Sequence, residues 1–207
     1  MKIKRTANAG VLIETEGIRI LIDGVSNKVL NYEETPKSII EYLCRQFPDV
    51  VMFTHYHDDH YDEEFSLKYK KDTLRSVYGP EFALTGKMGN VRLKGIATRH
   101  IGKTDIEHVS YIIDGEKCIW FMGDASPLEL KKLSGEKKAD ILIVPYAYVT
   151  TKASWEHAKS MGAEKIILLH MPKREDDVHK LWDAMEETVE NPKELIILNI
   201  GEEIEIR

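Results

Sequence analysis

Short apolar runs recur along this chain, separated by glycine, asparagine, aspartate or proline. After a turn at Asn8-Ala9-Gly10, residues 11–13 and 18–22 read as two strands joined at Glu16-Gly17, the second ending at Asp23-Gly24. The period then becomes helical. Across residues 33–46, Ile39, Ile40 and Leu43 share one face, with Thr35 in an N-cap position and Pro36 at the first helical one. Pro48 separates this helix from the run Val50-Val51-Met52-Phe53, which reads as a buried strand.

Residues 63–71 predict a short charged helix, and 74–78 and 82–84 predict short strands. A strand over 91–98 is interrupted by Gly95, and residues 109–113 and 118–122 form a hairpin around Asp114-Gly115. Helices and strands then alternate. A helix starts at Ser126-Pro127 and ends near Gly135, a strand covers 141–144, and a helix covers 154–161 with Gly162 placed to stop it. A strand at 166–169 precedes a helical face made of Val178, Leu181, Trp182, Met185 and Val189, and residues 195–200 and 204–206 are closing strands. The pattern is that of an α/β protein. Two weakly similar halves are conceivable, although no sequence repeat marks them.

With 207 residues the chain suits one domain spanning 1–207 and is long enough to bury a sizeable core. The net charge of −6 lacks the basic footprint of a general nucleic-acid or anionic-membrane binder. Cys44 and Cys118, the only cysteines, lack metal-type spacing and suit reduced thiols. The start shows no signal-peptide apolar block, and no run is long enough to span a bilayer. The expectation is a cytoplasmic protein acting on a small molecule. Homo-oligomerisation is left open.

The chemistry concentrates at Thr54-His55-Tyr56-His57-Asp58-Asp59-His60, just past the 50–53 strand, where three imidazoles and two carboxylates fall within seven residues. His55 and His57 are two apart, so in extended chain their side chains share a side, whereas Asp59 and His60 are adjacent and diverge. One loop can thus supply two ligand sets. His100, Asp124 and His170 each also follow an apolar strand-like run, so all these groups can converge on one sheet edge.

The pattern His-x-His-x-Asp-His after a strand resembles the signature of the metallo-β-lactamase superfamily, and the later groups fall in its motif order. The resemblance implies a four-layer αββα sandwich. It implies that His55, His57 and His100 hold one metal, that Asp59, His60 and His170 hold a second, and that Asp124 bridges both. His108 lies in the same loop as His100 and is the alternative third ligand. The implied cofactors are two divalent ions, zinc first, with manganese or iron suited to the same donors. Two ions about 3.5–4 Å apart can activate a hydroxide and stabilise attacking and leaving oxygens, with Asp59 and Asp124 as the catalytic carboxylates. A flavodiiron-type redox site is disfavoured, because that branch generally carries a carboxylate where His57 stands. Asp23 either supports the metal site in the manner of related proteins or simply belongs to an Asp-Gly turn, whereas Asp58 occupies the motif's variable position. Tyr146 and Tyr148 either wall the pocket or pack in the core. His157 and His179 fall in helical segments and read as surface or packing residues.

The function expected is a dinuclear metal hydrolase of a small ester, lactone or phosphodiester. The start at Ala9-Gly10-Val11-Leu12-Ile13-Glu14 and the ending Asn199-Ile200-Gly201-Glu202 are similar to the ascorbate-6-phosphate lactonase-like and RNase Z-like branches. No tRNA-gripping arm is evident, which disfavours the nuclease. The reading from another class is a non-enzymatic metal-binding or scaffold protein. Arg99 and Lys103 flank His100, and Lys173 and Arg174 follow His170. Closed on the metal edge, these four would bind an anionic substrate; otherwise they are solvated loop charges.

Overall fold

The computed structural model describes residues 1–102 and 105–206. Lys103, a candidate substrate contact, lies outside the described residues. Among the described residues, thirteen strands make two sheets. The first is built from β1 (Lys2–Arg5), β2 (Val11–Thr15), β3 (Ile18–Ile22), β4 (Val50–Met52), β5 (Val77–Tyr78) and β13 (Glu203–Glu205), in the order β13-β1-β2-β3-β4-β5. The second is built from β6 (Thr85–Met88), β7 (Val91–Ala97), β8 (Val109–Asp114), β9 (Cys118–Phe121), β10 (Ile141–Val144), β11 (Lys165–Leu168) and β12 (Leu195–Ile197), in the order β12-β11-β10-β9-β8-β7-β6. Each sheet has an antiparallel part that continues into parallel strands, β3-β4-β5 in one and β9-β10-β11-β12 in the other.

Strand alternation decides which core each residue joins. Ile20 and Ile22 face inward to a core that also holds Ile141 and Ile143 of the other sheet, while Leu21 faces outward to α1 (Lys37–Arg45) and α2 (Glu63–Thr73). On the far side, Leu142 and Val144 pack with α3 (Leu130–Leu133), α4 (Lys152–Ser160) and α5 (Leu181–Thr188). Strands covered on both faces, such as β4, β9 and β10, read as continuous apolar runs. The result is the four-layer αββα sandwich.

The differences from the sequence reading have local causes. Thr35 does not cap α1; its hydroxyl accepts the Ser26 N–H, and the helix starts after Pro36. Residues 74–76 are not strand, because Leu74 takes a left-handed conformation that closes α2. The strand expected at 82–84 forms later, as β6 beside β7. Proline at the first position makes residues 127–129 a 3-10 turn before α3. Val178 lies outside α5, which begins after Asp177 accepts the Leu181 and Trp182 N–H groups.

Parallel pairing puts the C-terminal ends of β3 and β4 together, and likewise those of β9, β10 and β11. Asp23, the histidine loop, Asp124, Tyr146 and His170 therefore emerge at strand ends. Cross-sheet bonds tie this edge shut. Val109 N–H donates to Thr54 O at 3.0 Å, Tyr111 Oη to Phe53 O at 3.1 Å, and His170 N–H to Asn8 O at 3.1 Å.

Candidate metal centre

Three overlapping groups of donors meet at this edge: His55, His57 and His100; His55, His60 and Asp124; and Asp59, His60 and His170. Within each group one donor atom per residue lies within 4.8 Å of the others. His55 Nε2 and His57 Nδ1 are 2.9 Å apart. Asp124 lies among the groups. Its Oδ2 is 3.6 Å from His100 Nε2 and 3.5 Å from His170 Nε2, while Oδ1 is 3.6 Å from His60 Nε2. Asp59 Oδ2 is 3.1 Å from His170 Nε2.

The far side of most rings is fixed by a second bond, which decides the nitrogen left over. Asp23 accepts the Thr54 N–H at 2.7 Å and the Thr54 hydroxyl at 2.8 Å. Having donated there, Thr54 Oγ1 accepts from His55 Nδ1 at 3.0 Å, leaving His55 Nε2 as a lone pair. His60 Nδ1 donates to Asp23 Oδ2 at 2.8 Å, leaving Nε2. His100 Nδ1 donates to Ile101 O at 2.7 Å, again leaving Nε2.

His108 is different. Its Nε2 accepts the Asp124 N–H at 3.0 Å, so its proton sits on Nδ1 and goes to Thr98 Oγ1 at 2.8 Å. Thr98 then donates to Ser110 Oγ at 2.9 Å and Ser110 to Met122 O at 3.0 Å. Both nitrogens are occupied. Burial, opposed by Asp124, lowers His108 to about 3, so it is a neutral ring. The geometry gathers His100, and not His108, with His55 and His57.

Backbone conformation completes the edge. Gly123 has φ 55°, and a Cβ there would meet Thr54 Cγ2 at 2.6 Å, so the chain can pass behind the histidine loop only as glycine. His170 and Asp23 hold left-handed φ values of 58° and 49° at buried positions, a conformation costly for such residues and held by the surrounding bonds. The His100 segment is fastened to the Asp124 loop by Ile101 N–H to Asp124 O at 2.8 Å and Ser126 N–H to Arg99 O at 2.8 Å.

Charge reinforces the picture. Burial opposes ionisation of Asp124, but His170 and His60 outweigh it and hold the carboxyl well below the usual range. Burial likewise opposes a proton on His60, yet Asp124 and Asp23 raise its titration well above that of an ordinary histidine. Asp59 is held low, the nearby His170 imidazole outweighing burial. The test of fit to metal lies in the orphaned atoms. His60 Nε2, His100 Nε2, Asp124 Oδ1 and both ring nitrogens of His170 are buried and have no hydrogen-bond partner among the described residues. Each such group costs about 1–3 kcal/mol unless something satisfies it. Nitrogen and carboxylate donors that converge without hydrogen-bonding to one another are what divalent cations satisfy, once any proton on them is displaced.

The other candidates lie differently. Arg99 pairs with Glu129 at 3.6 Å, Lys173 with Glu33 at 2.8 Å, and Arg174 with Glu186 at 2.6 Å while stacking on Trp182. These three do not form a ring of unpaired cations, because a carboxylate neutralises each. Tyr148 is a core residue whose hydroxyl donates to Ser126 O at 3.2 Å, whereas Tyr146 has its ring centroid 5.8 Å from that of His170. His157 lies on α4, His179 is exposed, and neither joins the donor groups. Sequence reasoning gave Thr54 no role and passed over Tyr32, whose ring meets His170 edge-on at 4.4 Å. Only adjacency to the histidines could have flagged Thr54, and nothing local flags Tyr32.

Fold and donor set together define the metallo-β-lactamase class. The chain belongs to the beta-lactamase superfamily domain family, whose model matches residues 2–167. No curated protein matches it in sequence. Among solved structures it is similar to a possible metal-dependent hydrolase from Veillonella parvula, with TM-score 0.71, 13% identity and 99% and 98% of the two chains covered. It is also similar to an isothiocyanate hydrolase from Delia radicum gut bacteria, with TM-score 0.67, 16% identity and 99% of each chain covered. A third is CmlA, a diiron beta-hydroxylase from Streptomyces venezuelae, with TM-score 0.67 and 13% identity, where 99% of this chain aligns with 54% of the other. At these identities the likeness is one of fold.

Proposed function

We propose that the protein is a dinuclear metal-dependent hydrolase of small esters or lactones, related phosphodiesters being the other candidates. The observation that carries this is the set of buried, unpartnered donor atoms facing one another across Asp124. His55, His57 and His100 would hold one ion and Asp59, His60 and His170 the other, with Asp124 reaching both. Zinc suits these donors, as do manganese and iron. When bound, the two cations lower the pKa of a water towards about 7 and polarise the oxygen under attack.

The chain's own residues do the rest. Asp23 and Thr54 orient His55 and His60 so that Nε2 faces the centre. Asp59, held as a carboxylate, takes the proton of the attacking water. The water oxygen bonds to the carbonyl carbon while the carbonyl π pair moves onto its oxygen. The pair then returns, the bond to the leaving oxygen breaks, and Asp59 gives that oxygen its proton. Reconstitution with zinc, manganese or iron, then assay on lactones, esters and a generic phosphodiester, tests this reading. Metal-dependent turnover is expected. A fully metallated protein that hydrolyses none of them would instead support the scaffold reading.

A further inference from the structure

The segment between β3 and α1 is a loop clasped at its base, where Thr35 N–H donates to Ser26 O at 2.9 Å and Ser26 N–H to Thr35 Oγ1 at 3.0 Å. Within it Val29 and Tyr32 bridge, leaving Leu30 at the tip with φ 45° and 89% exposed. Asn27 N–H donates to Asp58 O at 2.8 Å, which pins the loop to the histidine loop. This places the Tyr32 ring against His170. Tyr146, two residues past β10, approaches the same imidazole from the other sheet. Both phenols lie within electrostatic reach of Asp59 and Asp124, and Tyr32 within reach of Tyr146.

Three tyrosines built into the cores show what a packing role requires. Tyr69 donates to Asp49 O at 3.1 Å, Tyr111 to Phe53 O at 3.1 Å and Tyr148 to Ser126 O at 3.2 Å. Tyr32 and Tyr146 are half-buried, and neither hydroxyl has a hydrogen-bond partner among the described residues. Tyr61 and Tyr78 also lack one, but Tyr61 packs on Phe53 and Tyr78 pairs along β4. Tyr32 and Tyr146 combine an open hydroxyl with a ring set against His170.

We propose that Tyr32 and Tyr146 donate hydrogen bonds to the substrate oxygen that gains charge during hydrolysis, and that the substrate is an uncharged carbonyl compound, a lactone or ester with an apolar flank. This rests on the hydrolase reading above and narrows it. Neutral phenols suit an oxygen that becomes negative only as its carbonyl is attacked. They keep their protons throughout, while the water's proton goes to Asp59 and the π pair to the carbonyl oxygen. A phosphodiester carries charge before attack as well as after, and beyond the metal ions it is usually met by free arginine or lysine, yet Arg99, Lys173 and Arg174 are all paired with acids. The loop that carries Tyr32 instead exposes an apolar group, Leu30, at its tip.

The test uses the full metal-loaded chain with Tyr32→Phe, Tyr146→Phe and the double substitution, each of which keeps the ring. On alkyl-substituted lactones each single change should lower kcat about 10- to 100-fold, as expected for loss of one hydrogen bond to a charged oxygen. KM and metal content should hardly move. A second readout uses tyrosine labelled with 13C at Cζ and a non-hydrolysable six-membered lactam. The Tyr32 and Tyr146 signals should shift on binding, and those of Tyr69, Tyr111 and Tyr148 should stay. Unchanged kcat in the double variant, failure of the lactam to bind or to shift those two signals, or higher efficiency on phosphodiesters would overturn the inference while leaving a hydrolase. A wild type that hydrolyses nothing would instead overturn the hydrolase reading and with it the catalytic role, and the lactam shifts would still decide whether the two phenols meet a carbonyl oxygen.

Discussion

His100 and His108 are eight residues apart in one segment, both buried, both near His55, yet the structure uses them differently. One nitrogen of His100 is anchored to Ile101 O and the other faces Asp124 with no partner. His108 is anchored at both, and its protons run in one direction through Thr98 and Ser110 to Met122 O. A histidine available to a metal is therefore recognised by the nitrogen left over once the hydrogen bonds are assigned. His108 instead holds the backbone of the residue between the two donor groups, so it sets where the Asp124 carboxylate lies.

The largest effect that could break this contrast comes from removing His100 itself. His100→Ala should abolish tight binding of one metal equivalent, seen by elemental analysis after dialysis, with circular dichroism unchanged. His108→Ala should retain two equivalents with affinity reduced about 10- to 100-fold, the range typical of a group that only orients a ligand. The reverse order would move the third ligand to His108. Asp124→Asn keeps the side chain's size and the His108 bond but removes the charge between the cations. Turnover should fall by about 100-fold or more with the fold intact, and an unchanged rate in a fully metallated variant would show that Asp124 is not the bridge.

A subtler test concerns protons. In the metal-free protein His60 keeps its proton above the ordinary histidine range because of Asp124 and Asp23. A cation must displace that proton, so metal affinity rises as pH rises through the raised value. Titration calorimetry in buffers of different ionisation enthalpy should show proton release above about pH 6.5, the ordinary histidine value. No release there would mean His60 is already deprotonated. The smallest effect belongs to the paired cations. Arg174→Ala should change catalytic efficiency on lactones less than about threefold, since an exposed ion pair is worth about 0–1 kcal/mol. An anionic preference that shrinks with salt and with Arg99→Ala or Arg174→Ala would restore the cationic ring that these pairs argue against.

Much of this was written in the chain's local pattern. The sandwich follows from apolar runs whose alternate residues serve two cores, as Ile20 and Leu21 do, and from helices with one apolar face. The donor groups follow from imidazoles and carboxylates placed just past strands. What local pattern does not carry is pairing between distant segments. Thr35 reads as a helix cap but clasps Ser26, because the loop it closes competes for the same hydroxyl. The charges after His170 read as free, yet Glu33 reaches Lys173 from far along the chain and Glu186 of α5 reaches Arg174. Tyr32 gives no signal at all until the β3–α1 loop is seen folded onto the metal edge.

The central claim is that the buried, unpartnered atoms around Asp124 are held for two cations. Elemental analysis of the reconstituted wild-type chain, with the zinc titration followed to saturation, measures this directly. The account predicts close to two equivalents per chain. Saturation at one equivalent, with His55, His57, Asp59, His60, His100, Asp124 and His170 all intact, would contradict it.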